Sequence, residues 1–546
     1  MKNFSRRQFI GKTTLAAAPI ILLPGIFRSW KSAETEYKII DTPFGKLRGF
    51  RENSVNIFKG VPYAGSVSGE NRFQKAGQVK PWTGTRDALQ LGNPSIQPPN
   101  QTYGINEPEP AEDCLVLNIW TPANDGLKRP VMVYSHGGGY IHGSGGSTAQ
   151  DGANLARMYD VVVVTTNHRL GLLGYLYLDE IAGEEFKGSG NRGVQDIAVA
   201  LKWINENIGL FGGDPENVMI FGESGGGMKT SCLYAMPEAA PYFHKASIES
   251  GPGVEIIPAE SAAKTTRSLL KYLNISTKNW KKLLEVQPEI LLEAQGKLPQ
   301  KPNPKVLGFH GIGNSGVGSF GAVKDGFVMP NNPFEPIAPE ISKNKPLLVG
   351  WNEDEYIFFA MYSKELDVFT LTEDQLKIRL KNDFNDDAEI IFKTYKNANP
   401  QKTPAEIYIA LHSIHFMGLG SVRIAERKTV QNGAPAYLYN FGYKSNNKVP
   451  GTGYETGAMH ALDIPFKFYN VETGMPGTKP DRFEASKNMT ALWTSFARTG
   501  KPVAEGQPEW PAYSLENRTT FRIDVKCSVI NNRFGAEREM WEKVLK

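Results

Sequence analysis

The chain has 546 residues, 40% hydrophobic and 22% charged, with 55 Gly and 36 Pro. That composition supports a large packed core and excludes collagen, coiled coil and low-complexity disorder. A formal net charge of +4 gives no footing for a nucleic-acid partner, and three cysteines are too few for a disulfide framework. At about 150 residues per domain, length taken alone suggests three or four domains.

The N-terminus reads as an address. Ser5-Arg6-Arg7-Gln8-Phe9-Ile10 precedes Gly11-Lys12 and an apolar stretch from Thr13 to Phe27. Residues 1–33 contain Lys2, Arg6, Arg7, Lys12, Arg28 and Lys31 and no acid, so the positive balance belongs to this segment and the remainder is slightly negative. Paired arginines ahead of a mild, Ala- and Pro-containing apolar run resemble a bacterial twin-arginine export signal. The run is shorter than the roughly 20 residues of a spanning helix, and Pro19 and Pro24 would break it. With no Cys near its end, a lipid anchor is not expected. The segment 1–33 is therefore an export signal. It implies the twin-arginine translocation machinery as a transient partner, a periplasmic or secreted location and no stable membrane anchor.

Beyond it, short β-type runs at Gly45–Phe50, Ile57–Val61 and Leu115–Trp120 are separated by Gly/Pro turns. Longer apolar strands follow at Val131–Ser135, Val161–Asn167 and Val218–Phe221. Between the last two, Ile197, Leu201, Ile204 and Ile208 recur at helical spacing over Asp196–Ile208. Strand, helix and strand with near-continuous apolar strands indicate a parallel sheet covered on both faces. Further strands are expected at Pro346–Gly350 and Tyr437–Phe441, with a helix over Lys487–Arg498. The segments 260–300 and 362–430 read as charged helical insertions, because strand signals resume after each.

Two glycine-rich turns carry chemistry. Gly222-Glu223-Ser224-Gly225-Gly226 fits G-x-S-x-G, entered by the strand Val218–Phe221 and left by a helix over Met228–Ala235. That setting lifts a serine hydroxyl above a sheet edge, within reach of a base and a substrate. The strand Val131–Ser135 runs into His136-Gly137-Gly138-Gly139-Tyr140, a run that brings bare backbone N–H groups up to an acyl oxygen. A donor of this kind is worth roughly 3–4 kcal/mol of barrier. By contrast, the GxGxxG match at Gly311–Gly316 runs into Val317-Gly318-Ser319-Phe320-Gly321, which cannot readily open a helix, so no nucleotide site is expected. No zinc-type cluster, HExxH or Walker A run occurs, and no cofactor or metal is expected.

Phe211-Gly212-Gly213-Asp214-Pro215-Glu216-Asn217-Val218 leading to Gly222-Glu223-Ser224-Gly225-Gly226 resembles the serine-site signature of the type-B carboxylesterase/cholinesterase family. Glu112-Asp113-Cys114-Leu115-Val116-Leu117-Asn118-Ile119-Trp120 is similar to that family's second signature. Phe58–Tyr63, Asn167–Gly171 and Trp493–Gly500 match as well, so the resemblance spans about 45 to 525. It implies an α/β-hydrolase fold: α/β class, a large mostly parallel central sheet with helices on both faces and helical insertions over the active site. Residues 34–546 then form a single domain, because elbow, acid and histidine must meet in one place.

The family's triad runs Ser, Glu, His in chain order. His460, in Gly457-Ala458-Met459-His460-Ala461-Leu462-Asp463, is similar to the catalytic-histidine loop and follows the strand Tyr437–Phe441. His136 belongs to the glycine run, and the other histidines lack a matching setting. For the acid, Trp351-Asn352-Glu353-Asp354-Glu355-Tyr356 offers three carboxylates; the resemblance points to Glu355. Tyr356 stands where relatives usually have Gly, which leaves Glu353 and Asp354 open. The implied chemistry is hydrolysis of a small-molecule carboxylic ester. Ser224 attacks, His460 takes its proton, Glu355 orients the imidazole, and the N–H groups of Gly138, Gly139 and Gly225 hold the oxyanion. Activity should then fall below about pH 6, the ordinary range of imidazole protonation.

The resemblance also implies an ion pair between Glu112 and Arg169, and a buried polar network holding Glu223 and Ser250. Ser95 stands where many relatives carry the disulfide partner of Cys114, so Cys114 is expected unpaired, as are Cys232 and Cys527. The loop 95–113 has no Trp, so the aromatic choline site of cholinesterases has no counterpart. A carbohydrate-ester or polyketide-ester deacylase would share the triad. A non-catalytic adhesion protein of the same fold is the contrasting reading, disfavoured by the presence of Ser224, Glu355 and His460.

Overall fold

A computed structural model of the chain describes residues 35–99, 107–298 and 318–545. Residues 1–33, read above as an export signal, His310 and the glycine run at 311–316 lie outside the described residues. Thirteen strands form one sheet: β1 (Glu36–Thr42), β2 (Gly45–Glu52), β3 (Val55–Pro62), β4 (Thr85–Asp87), β5 (Val116–Thr121), β6 (Arg129–Ser135), β7 (Val162–Thr166), β8 (Gly213–Glu223), β9 (Lys245–Glu249), β10 (Leu347–Asn352), β11 (Ala436–Phe441), β12 (Thr520–Ile523) and β13 (Ser528–Ile530). Their order is β1-β2-β3-β5-β7-β6-β8-β9-β10-β11-β12-β13, with β4 added beside β2.

From β7 to β12 every neighbouring pair is parallel. The pairs β2–β3, β3–β5, β5–β7 and β12–β13 are antiparallel. The sheet is thus parallel at its centre, with antiparallel pairs toward both ends. Every residue of β6, β7, β9, β10 and β11 is buried. A strand buried on both faces needs cover on both, which is why runs such as β6, β7 and β10 read as near-continuous apolar stretches, although β9, equally buried, has a charged residue at each end.

The helices that position the site follow the central strands. α1 (Arg192–Asn207) precedes β8, α2 (Gly225–Ala235) leaves it, and α3 (Tyr356–Tyr362) follows β10. α4 (Asp463–Phe468) packs on α5 (Arg482–Thr499), which also reaches β6 and β8. The segments expected as helical insertions are helical: Ala259–Tyr272 and Pro288–Lys297 in one, Glu373–Phe384, Ala388–Ala398, Pro404–Ser413 and Leu419–Val430 in the other. The run Pro404–Val430 is long and apolar enough to cross a membrane, and 83% of its most apolar window is buried in the protein. Residues Tyr37–Lys546 gather into one compact unit.

One expected contact is absent. Arg169 does not meet Glu112. Leaving β7, its guanidinium grips Asp196 on α1 in a two-pronged pair at 2.8 and 2.7 Å. Glu112 is taken by Arg72, at 2.6 and 2.8 Å, and Arg72 also donates to the carbonyls of Leu283 and Val286. Each carboxylate finds a guanidinium whose fork fits it, so the early loop is tied to the insertion and the strand end to α1. All three cysteines are free and buried. The Ser95 hydroxyl bonds the Cys114 thiol, which burial pushes up to about 12.

Candidate functional site

The β8–α2 turn holds Ser224 at φ 58° and ψ −124°, a conformation that costs a non-glycine residue on the order of 1–3 kcal/mol. The surroundings enforce it. The Ser224 N–H donates to the Glu249 carbonyl at 2.8 Å, and Met228 N–H returns to the Ser224 carbonyl at 3.1 Å. A Cβ at Gly226 would collide with the Ser135 carbonyl of β6, and one at Gly225 with the Gly139 backbone. The glycines of the elbow are thus needed because neighbouring backbone comes close, as well as for the turn itself.

Gly138 and Gly139 have φ of 82° and 63°, left-handed geometry that suits glycine. The Gly138 carbonyl accepts from His142 N–H at 3.0 Å, closing the loop on itself. Among the described residues, neither the Gly138 nor the Gly139 N–H is taken up by a hydrogen bond. The packing of Gly139 on Gly225 brings these donors to the residue that follows Ser224.

Of the three carboxylates left open by the sequence, Glu355 is the one that reaches the histidine. Glu355 Oε2 lies 2.5 Å from His460 Nδ1, and Glu355 Oε1 accepts from Asn352 N–H at 2.7 Å. Glu353 instead meets Lys444, Arg522 and Arg533, and Asp354 meets Lys444 and the Ala458 N–H. Tyr356, in place of the usual Gly, opens α3 without displacing the acid: its N–H donates to Ser413 Oγ at 3.0 Å. With Nδ1 held by Glu355, Nε2 is left as the ring's proton-accepting nitrogen.

Glu223 joins the two halves. It is wholly buried, and its Oε1 accepts from Ala461 N–H at 3.1 Å and lies 3.4 Å from His460 Nδ1. The residue before the serine is thereby bonded to the histidine loop. Ser250, expected in the same network, is buried, but its hydroxyl has no hydrogen-bond partner among the described residues.

Burial alone would push the His460 imidazole down; the carboxylates of Glu223 and Glu355 outweigh it and hold it above the usual imidazole range. Burial pushes Glu223 upward as well. Two carboxylates rather than one face the ring, so the imidazole keeps its proton to higher pH than a free histidine does. Phe359 and Phe358 flank that ring, with centroids at 4.8 and 5.5 Å.

Two features escaped the sequence. Behind His460, α4 turns Lys467 inward, where it pairs with Asp463 and with Glu249 at 2.8 Å. Glu249 also accepts from Trp493 Nε1 at 2.6 Å and from Ser247 Oγ at 2.7 Å. Asn352 links Asp463 back to the acid by donating to Asp463 Oδ1 at 3.2 Å. Behind the glycine loop, Lys229 of α2 is wholly buried and donates to the His136 carbonyl at 3.0 Å. The helix start Asp463-Ile464-Pro465, with Lys467 four residues after the aspartate, reads in the sequence as a solvated pair. A lysine amid Gly225–Ala235, which has no other charged residue, was the one available signal of the second cluster.

A buried carboxylate–imidazole pair, a serine on a strained strand–helix turn and two unengaged loop N–H groups define an α/β-hydrolase equipped for acyl transfer. The carboxylesterase family model matches residues 36–541. The chain is 33% identical to para-nitrobenzyl esterase of Bacillus subtilis over 512 residues, 92% of this chain and 98% of that protein. It is 30% identical to phenmedipham hydrolase of Pseudarthrobacter oxydans, covering 91% and 96%. Among solved structures it superposes on the Geobacillus stearothermophilus carboxylesterase EST55 with a TM-score of 0.78, at 34% identity and 92% and 99% coverage. The chain belongs to the carboxylesterase family and is a carboxylic-ester hydrolase.

Proposed function

We propose that the chain hydrolyses esters through an acyl-enzyme on Ser224, with His460 as general base and acid and Glu355 holding the imidazole. His460 Nε2 takes the Ser224 proton as the oxygen attacks the ester carbonyl. Glu355 fixes the tautomer and balances the imidazolium. The N–H groups of Gly138, Gly139 and Gly225 receive the charge that develops on the carbonyl oxygen. The imidazolium then protonates the departing alcohol, and water, deprotonated by the same nitrogen, releases the acid. The 2.5 Å contact between His460 and Glu355 carries this reading.

The preferred substrate is an uncharged ester bearing an aromatic group. Phe358 and Phe359 beside His460 support this, as does the para-nitrobenzyl activity in the name of a relative. The enzyme is bacterial and works outside the cytoplasm. Residues 1–33 direct it through the twin-arginine route and leave residues 34–546 as a single catalytic domain without a membrane anchor; the Arg6-Arg7 pair and the apolar run after it support this.

Ser224→Ala should lower kcat by at least about 10⁴-fold while the protein still folds, and an organophosphate should label the wild type one-to-one at Ser224. Retained turnover in Ser224→Ala overturns the assignment. For export, replacing Arg6-Arg7 by two lysines should leave the activity in the cytoplasmic fraction; unchanged export refutes the address.

A further inference from the structure

Lys229 presents a problem the ester-hydrolysis scheme does not use. It sits one turn into α2, wholly buried, and its terminal nitrogen meets the carbonyl of His136, the residue at the root of the glycine loop. No acidic side chain pairs with it among the described residues. The groups that face it come from three elements. His136 follows β6, His168 follows β7, and their rings stack at 4.4 Å. Cys232 lies on α2 itself, 3.7 Å from the Tyr140 hydroxyl. Neither nitrogen of His168 finds a partner among the described residues. A buried ammonium with one carbonyl and no counter-charge is expensive in a resting protein.

The cost is relieved in one state of the reaction. When the substrate carbonyl becomes tetrahedral, a negative charge forms against the N–H groups of the same loop whose root Lys229 holds. We propose that Lys229 is a positioning residue for the oxyanion loop. Its nitrogen fixes the His136–Gly137 peptide, and its positive charge is answered by the oxyanion that forms beyond it. This rests on the assignment of Gly138, Gly139 and Gly225 as the oxyanion donors. Because the substrate's own carbonyl carries no full charge, the effect falls on the transition state and not on ground-state binding.

The charge is also conditional. Burial pushes Lys229 down to about 7, so the ammonium form, and the stabilisation with it, is present below neutrality and lost as pH rises through that value. Burial, reinforced by Lys229, keeps His136 and His168 well below the imidazole range, so they contribute no charge of their own. Burial holds the Cys232 thiol up at about 12, and Tyr140 well above its usual value, so both stay protonated.

The test compares wild type with Lys229→Met, which loses donor and charge, and Lys229→Gln, which keeps an N–H donor without charge. The readouts are kcat, KM and the inhibition constant of an aryl trifluoromethyl ketone, whose serine adduct carries an oxyanion. For Lys229→Met we expect kcat to fall on the order of 10- to 100-fold, KM to stay within about threefold, and the ketone to weaken by the same factor as kcat. In wild type, ketone affinity should decline as pH rises past about 7; in Lys229→Gln that decline should vanish. If Lys229→Met fails to fold, the Gln variant and the pH course of the ketone decide the question. Two folded variants with wild-type kcat and wild-type ketone affinity overturn the role of Lys229. A wild type that takes up neither ketone nor organophosphate at Ser224 overturns the site assignment beneath it, which is a different result.

Discussion

Behind His460 the protein buries four carboxylates, Glu223, Glu249, Glu355 and Asp463, around one lysine; behind the oxyanion loop it buries one lysine and two imidazoles without an acid among the described residues. The two clusters flank the same strained turn and face opposite halves of the reaction. In the proposed mechanism the first surrounds the group that becomes positive when it accepts the serine proton. The second underlies the loop where negative charge appears. On the proposed mechanism, and with Lys229 in its ammonium form, each cluster carries charge opposite to what the reaction creates beside it. That is preorganisation in the sense that matters for rate: dipoles and charges already in place need not be reoriented at the transition state. The clusters differ in how the resting state tolerates them. Lys467 is matched by Glu249 and Asp463, whereas Lys229 has only a carbonyl.

The largest expected effect tests the carboxylate side. Glu355→Gln keeps the shape of the pair but favours the wrong imidazole tautomer, and kcat should drop about 10⁴-fold with little change in stability. Steady-state kinetics alongside a thermal melt separate the two. A variant retaining a tenth of the activity would mean that Glu353, Asp354 or Glu223 can replace the acid. Next in size is a pair of truncations that compares the lysines directly. Lys467→Met leaves Glu249 and Asp463 buried and unpaired, and should cost about 3–5 kcal/mol in denaturant unfolding. Lys229→Met leaves one carbonyl unsatisfied and removes an unpaired charge, so its cost should stay within about 1–3 kcal/mol. Equal losses would erase the distinction between a matched and an unmatched cluster.

Much of this was legible in the sequence, and the rest had a physical reason for being hidden. Strands such as Val131–Ser135 and Val161–Asn167 announced themselves because a central parallel strand is apolar on both faces, and the structure trims or extends them by only a few residues. Ser224 was readable because the elbow demands glycines at fixed offsets. His460 and Glu355 were not readable from spacing alone, since they lie far apart in the chain; the family resemblance pointed to them, and the His460–Glu355 contact joins them in space. The Glu112–Arg169 pairing failed because signature matching names which charges exist and not which fork reaches which carboxylate. Arg72 lies outside the stretches that resemble the family's signatures, yet it takes Glu112. Lys467 was hidden for a related reason. A lysine four residues after an aspartate looks like a solvated helix pair, and only the packing of α4 on α5 turns it inward.

The smallest expected effect asks whether the two clusters act separately. The carboxylates of Glu223 and Glu355 hold His460 above its usual range, so the acid limb of kcat/KM, where the base must shed its proton, is displaced upward. Lys229, pushed down to about 7, draws the alkaline limb downward. The two displacements bring the limbs toward each other, and the wild-type profile should be a narrow bell instead of a plateau above neutrality. Glu223→Gln removes one of the two carboxylates facing the ring, and should move the acid limb down by on the order of one pH unit while the alkaline limb stays. Lys229→Gln should flatten the alkaline limb and leave the acid limb in place. Because the clusters lie behind different loops, the double variant should show both changes added, to within a few tenths of a pH unit. Rate profiles of the four proteins on one aryl ester are enough to check this. A single substitution that moves both limbs would show that the carboxylate and lysine clusters titrate as one unit, and the division between them would have to be given up.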